Sequence, residues 1–221
     1  IAVASIIGPL LGSVVLEGSQ VLLTGIAATS LVLSLIPLIR ISTPEVENNG
    51  SEKINWKEIK KELFDYSIMS SFSVTVFVVW SIYVYLNGFA LTEIGAIVVA
   101  TSVARIVISS TIKERLSDIE IRQKVMKTCA LGIMTVSVYR YMIPEHILLT
   151  NTLMSFFFVG FQLSSQTSII NSFKGGKTYY SSMMLQANTV ATRIMIYAVV
   201  FIIGLKTAIL LPVITGLLYL T

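Results

Sequence analysis

Three arginines of this chain, Arg105, Arg140 and Arg193, stand inside long apolar stretches, where a charge is costly and marks a functional site by default. A desolvated guanidinium has one strong chemistry: its planar fork grips a carboxylate or phosphate through two parallel hydrogen bonds. At 1.5 Å of rise per residue, Arg105 sits about 12 Å along its helix from Lys113, and Arg193 about 16 Å from Gly204. Neither reaches an interface easily. Each costs on the order of 3 kcal/mol at a helix centre, so each is expected to face a wet cavity or a partner. Arg140 lies one turn before Pro144 and is read as a snorkelling end residue. No Asp or Glu falls within the expected spans, so the counter-charge for Arg105 and Arg193 is expected from a ligand or from chain upstream of Ile1.

Residues at i, i+4, i+7 and i+11 share a helix face, and four polar stripes accompany the arginines. Ser182, Gln186, Thr189, Arg193 and Tyr197 form one, and Asn151, Ser155, Gln162 and Gln166 a second. Ser102, Arg105 and Ser109 form a third, and Tyr66, Ser70, Ser73, Phe77 and Trp80 a fourth. From these stripes Arg193, Arg105, Gln186, Thr189, Gln162, Gln166 and Trp80 are the candidate substrate-binding residues. Catalytic residues, metal ligands and cofactors are not expected. The single histidine, His146, falls in a loop, and no phosphate-binding glycine loop is present.

The elements that position these residues follow from composition. With 54% hydrophobic and 13% charged residues and a mean hydropathy of +0.81, the chain is far from the globular norm of about 25% charged. A window of roughly 20 residues finds eight apolar stretches: 1–16, 21–39, 66–86, 94–112, 125–143, 147–173, 179–204 and 207–221. The fold class expected is therefore an all-α polytopic membrane protein. Lys and Arg alternate between the gaps. Arg40, Lys53, Lys57, Lys60 and Lys61 occupy one gap, Lys113, Arg115, Arg122, Lys124 and Lys127 the next but one, and Lys174 and Lys177 a third. The intervening gaps, around Glu17, Glu93, Glu145 and His146, hold only Lys206. This is the positive-inside pattern; it places the basic gaps and the C-terminus on the cytoplasmic side of a plasma membrane. The pI near 9.2 then reflects loops that meet anionic headgroups of the lipid bilayer, and nucleic acid is not an expected partner. Cys129, alone in the chain, reads as a small buried hydrophobe.

One stretch resembles a linker. Residues 40–65 contain Pro44, Asn48, Asn49, Gly50 and Ser51, a run of breakers, followed by Asn55 and Glu58 at capping-box spacing. A short interfacial helix is expected there, with Ile59, Leu63 and Phe64 opposite Lys57, Lys60 and Lys61. The chain is apolar from Ile1, without a basic leader, and this start reads as a truncated span rather than a signal peptide.

The first span reads Ala4-Ser-Ile-Ile-Gly8-Pro9-Leu-Leu-Gly12-Ser13. Gly8 and Gly12 open one helix face to close approach, and Pro9 bends the helix. This segment resembles the Gly-x-x-x-Gly-Pro-x-x-Gly-Gly motif of the fifth helix of antiporters in the major facilitator superfamily, with Ala4 and Ser13 in place of the outer glycines. Ser110-Thr-Ile-Lys-Glu114-Arg115-Leu-Ser-Asp118 resembles that family's Gly-x-x-x-Asp-Arg-x-Gly-Arg-Arg loop, with Glu114 for Asp and Arg115 kept. The resemblance implies that the chain holds helices five to twelve of twelve: residues 1–39 end the first half, 40–65 form the cytoplasmic linker, and 66–221 form the complete second half. It also implies that Gly8, Pro9, Gly12, Ser110, Glu114, Arg115 and Asp118 serve conformational change, and that the first four helices lie outside this chain.

The function implied is secondary transport of a small molecule by alternating access, proton-linked export of a drug-like compound or metabolite. The alternative is an organic-anion carrier using Arg105 and Arg193. Protons as coupling ion need a titratable group at membrane depth. Glu17 and His146 read as loop residues, so the proton-carrying acid is expected before Ile1. An embedded enzyme would need catalytic carboxylates or a Ser/His set within the spans, and a channel would need a repeated pore signature; the sequence offers neither.

Overall fold

The computed structural model describes residues 56–89, 91–112, 115–172 and 178–221. Gly8, Pro9, Gly12, Glu114, the two spans in 1–39 and linker residues 40–55 lie outside the described residues, as do Lys113, Lys174 and Lys177. The described residues are helical, with no strand among them.

Helix α1, Trp56–Ser73, continues without a break through a π-helical turn, Val74–Val79, into α2, Trp80–Leu86. No Gly or Pro interrupts this segment, so the expected interfacial helix and the first described span are one rod. Thr75 donates its hydroxyl to the Ser71 carbonyl at 2.8 Å, competing for an acceptor of the backbone ladder within a β-branched run. Gly88, at φ 82°, ends the rod, and Asn87 Nδ2 donates to the Tyr83 carbonyl at 2.7 Å, satisfying one terminal acceptor.

Helix α3 is Leu91–Ile112 and α4 is Ile119–Met142. Between them lies the 3₁₀ turn Arg115–Ser117, after which Asp118 caps α4 by accepting from the backbone N–H of Glu120 and Ile121. Helix α5 is Ile147–Ser172 and α6 is Thr178–Ile203. Gly204, at φ 80°, turns the chain into a short α7, Leu205–Ala208, and then α8, Leu211–Leu220. The last expected span is thus two pieces, with Pro212 in the first turn of the second.

The loops gather at two ends. Trp80, Val84, Phe89, Ile147 and Ile209 pack together, which brings the α2–α3, α4–α5 and α7–α8 connections to one end. Tyr66, Ile68, Ile108, Met126 and Tyr219 belong to the main core cluster at the other. The basic-poor gaps among the described residues therefore share an end, called here the basic-poor end. Helix α5 is central: it packs against α3, α4 and α1, while α8 packs on α4 and α1, and α6 on α1. Two glycines let α4 and α5 approach closely. A Cβ on Gly132 would fall 2.5 Å from the Phe157 ring, and one on Gly160 would fall 2.7 Å from Cys129 Sγ.

Three helical segments are long and apolar enough to cross a membrane: Leu63–Leu86, Ile147–Ser168 and Leu185–Ile203. Val98–Thr111 and Leu205–Leu220 are apolar but shorter. Helix α4 has the length, but Glu120, Arg122, Lys124, Lys127 and Arg140 lower its hydropathy. The outward surface is strongly apolar; Phe201 is 91% exposed, and Met142, Leu148, Met195 and Ile202 are also exposed.

Candidate functional site

The polar interior is organised by two residues one turn apart on α5, Asn151 and Ser155. Ser155 Oγ shares a 2.9 Å hydrogen bond with Thr101 Oγ1 of α3. Asn151 Oδ1 accepts from Trp80 Nε1 of α2 at 2.7 Å and from Arg140 Nη2 of α4 at 2.5 Å. Both donors lack an acceptor role, so the amide orientation of Asn151 is fixed by its neighbours. The guanidinium carbon of Arg140 lies 4.4 Å from the centroid of the Trp80 ring, a cation–π contact, and Tyr83 stacks on the same indole with centroids 5.6 Å apart. Four helices thus meet in one buried polar ladder beneath the basic-poor end.

Arg140 is the surprise of this ladder. It is 2% exposed, and the expectation that it snorkels outward is overturned. The cause is the direction of a helical side chain, whose Cα–Cβ bond tilts toward the helix N-terminus. Near the C-terminal end of α4 that direction leads into the bundle. Arg140 also lies on the buried face marked by Met126, Ala130, Ile133 and Ser137. A further weak contact runs from Nη2 to the Thr150 carbonyl at 3.5 Å, and Nε has no hydrogen-bond partner among the described residues. No carboxylate of the described residues pairs with this arginine.

The expected binding residues fall into separate places. Trp80 is 1% exposed and joins the ladder. Gln162 is half-buried and Gln166 exposed on α5, below the ladder. Gln186, Arg193 and Tyr197 form an exposed polar stripe on α6, with Thr189 half-buried and donating to the Leu185 carbonyl at 2.8 Å. The stripe runs along a helix that also exposes Val190, Ile194 and Met195. The backbone of Arg105 lies in α3; its side chain is outside the described residues. Asn151 and Ser155 were legible as one stripe. What the stripe did not reveal was that its upper half, Asn151 and Ser155, bonds across to three other helices.

Asp65 changes the acid inventory. The apolar segment begins at Leu63 rather than Tyr66, so Asp65 belongs to it, and it is 6% exposed. The reading that no carboxylate lies in a span is corrected accordingly. In the loop motif, Asp118 is a helix cap, Arg115 is exposed, and Ser110 donates to its own helix at the Val107 carbonyl. Arg122, buried beside that turn, points Nη1 at the Leu116 carbonyl at 3.4 Å. At the opposite end, His146 Nδ1 and Tyr139 Oη are 2.5 Å apart and their rings stack. No three His, Cys, Asp or Glu residues among those described are placed to hold a metal ion. Compared with protein-family models, curated proteins and solved structures, the chain matches none of them.

Proposed function

We propose that this chain is a secondary transporter of the major facilitator type, carrying helices five to twelve of that architecture in a plasma membrane, with its basic loops on the cytoplasmic side. One observation carries the reading: a hydrogen-bonded polar ladder runs through the inside of a bundle whose outer surface is apolar. Polar groups at membrane depth are costly unless they serve a pathway or bind one another. Here the binding is incomplete. The hydroxyls of Ser70, Ser71, Ser137 and Ser165 are buried without a hydrogen-bond partner among the described residues, and such groups suit a path that water or substrate enters in another conformation.

The reaction is proton-linked export of a drug-like compound or metabolite, and Asp65, buried within an apolar segment, supplies a carboxylate suited to carry the proton. Arg140 favours the second reading, carriage of an organic anion, because a buried cation with only neutral contacts among the described residues attracts a negative substrate. In that reading Arg193 and Arg105 would contact the substrate along the pathway.

Flux through proteoliposomes reconstituted with the full-length protein, including the first four helices of the proposed architecture, tests the proposal. Uptake that saturates with substrate concentration and falls at least about tenfold in Arg193→Gln and Arg105→Gln supports the anion carrier. Saturable flux that responds to an imposed pH gradient and is lost in Asp65→Asn supports proton-linked export. Flux that rises linearly with concentration contradicts both.

A further inference from the structure

Arg140 has more hydrogen-bonding capacity than the ladder uses. Only its Nη2 donates among the described residues, and its Nε is buried with nothing to meet. Asn151 stands beside it with both of the bonds it receives ending on Oδ1, so its Nδ2 amide is a donor group that neither of them uses. A cation and an amide donor, each 2% exposed, stand side by side, and no acid among the described residues pairs with the cation. A purely structural latch would explain the bonds to Oδ1 and the contact with the ring, but not a buried charge without a counter-ion among the described residues, which is costly.

The chemistry that would complete this arrangement is a planar anion accepting from a guanidinium and an amide together. We propose that Arg140, Asn151 and Trp80 form a binding site for a small carboxylate, with the Trp80 indole as its cover. The ring lies over the guanidinium, so an arriving carboxylate displaces an aromatic face and gains a full charge in exchange. The cover is also placed to move. Trp80 is the first residue after the π-helical turn Val74–Val79, and such turns recur at functional sites. Relaxing those residues to α-helical spacing rotates everything beyond them by about 100°, roughly one residue's worth of turn, and carries the indole off Arg140. The site lies within about 10 Å of the basic-poor end, since Arg140 is two residues from the end of α4 and Asn151 four from the start of α5.

This chain has two tryptophans, Trp56 and Trp80, so Trp56→Phe, with any tryptophan upstream of Ile1 also changed to Phe, leaves the cover as the indole reporter. Titrating that purified protein in detergent with sodium acetate, at constant ionic strength balanced by a bulky sulfonate, is expected to change Trp80 emission along a saturating curve. Arg140→Gln in the same background should weaken the midpoint at least about tenfold, and Arg140→Lys, which keeps charge but loses the fork, should fall between. A change that never saturates, or an unchanged midpoint in Arg140→Gln, overturns the proposal. Should Arg140→Gln lose its helical circular dichroism, Asn151→Asp decides instead. That variant sets a carboxylate against Arg140, and the acetate response should vanish with the fold intact; acetate binding as tight as before overturns the proposal. Binding is read here without flux. A chain that moves no carboxylate leaves the site standing, and carboxylate uptake unaffected by Arg140→Gln removes the site without touching transport.

Discussion

Asn151 has the largest consequences of any single residue described, because two buried donors from two other helices end on one oxygen. Asn151→Leu leaves both the Trp80 N–H and the Arg140 guanidinium unsatisfied, and is expected to cost on the order of 3 kcal/mol, read as a lowered Tm in detergent. Asn151→Asp should move stability the other way, by about 2 kcal/mol, because it gives Arg140 a counter-charge that the described residues do not supply; a lower Tm would count against an unpaired cation at this position. The presence of Arg140 in an apolar stretch was plain in the sequence, but its direction was not. Distance to the nearer helix end suggests an outward side chain, whereas the tilt of Cβ and the buried periodicity of Met126, Ala130, Ile133 and Ser137 send it inward. Asp65 was hidden by a different cause. It is the third residue of an apolar segment whose first residues look like the end of a charged linker.

At the scale of elements, the described helices begin and end within a few residues of the apolar stretches in 66–221, because Gly88, Pro144, Gly204 and the Asp118 cap punctuate them. Exceptions arise where tertiary or backbone detail overrides hydropathy: the unbroken α1 from Trp56, the π turn, and the break at Ile209 and Leu210. Helix contact between α4 and α5 depends on missing side chains. Gly132→Val is expected to destabilise by about 1–3 kcal/mol through overpacking against Phe157, measured by the same Tm assay, while Gly88→Val, with open space around its Cβ position, should suffer only the backbone strain of a positive φ. The π turn makes a sharper prediction. Deleting Val78, which is exposed, allows Val74–Val79 to close as α-helix without rotating Trp80 relative to α1. Trp80 in that variant should stay shielded from acrylamide quenching, and a fully quenched indole would show that the turn is not an accommodated extra residue.

The whole molecule, over the described residues, is an antiparallel arrangement of helices with an apolar exterior and a polar ladder inside. Charge alternation in the sequence anticipated that the described basic-poor connections share an end. It could not show which polar stripes meet, because helix–helix contact is decided by three-dimensional packing rather than by periodicity along one helix. The central claim is that this bundle crosses a bilayer with its basic-rich and basic-poor ends on opposite sides. Cys129 is buried, so the native chain gives a quiet background for thiol labelling. Lys124→Cys and Glu145→Cys place exposed thiols at the two ends. In vesicles of one insertion direction, a membrane-impermeant maleimide added outside should label one of the two variants and reach the other only after permeabilisation. Equal labelling of both in intact vesicles would contradict the account.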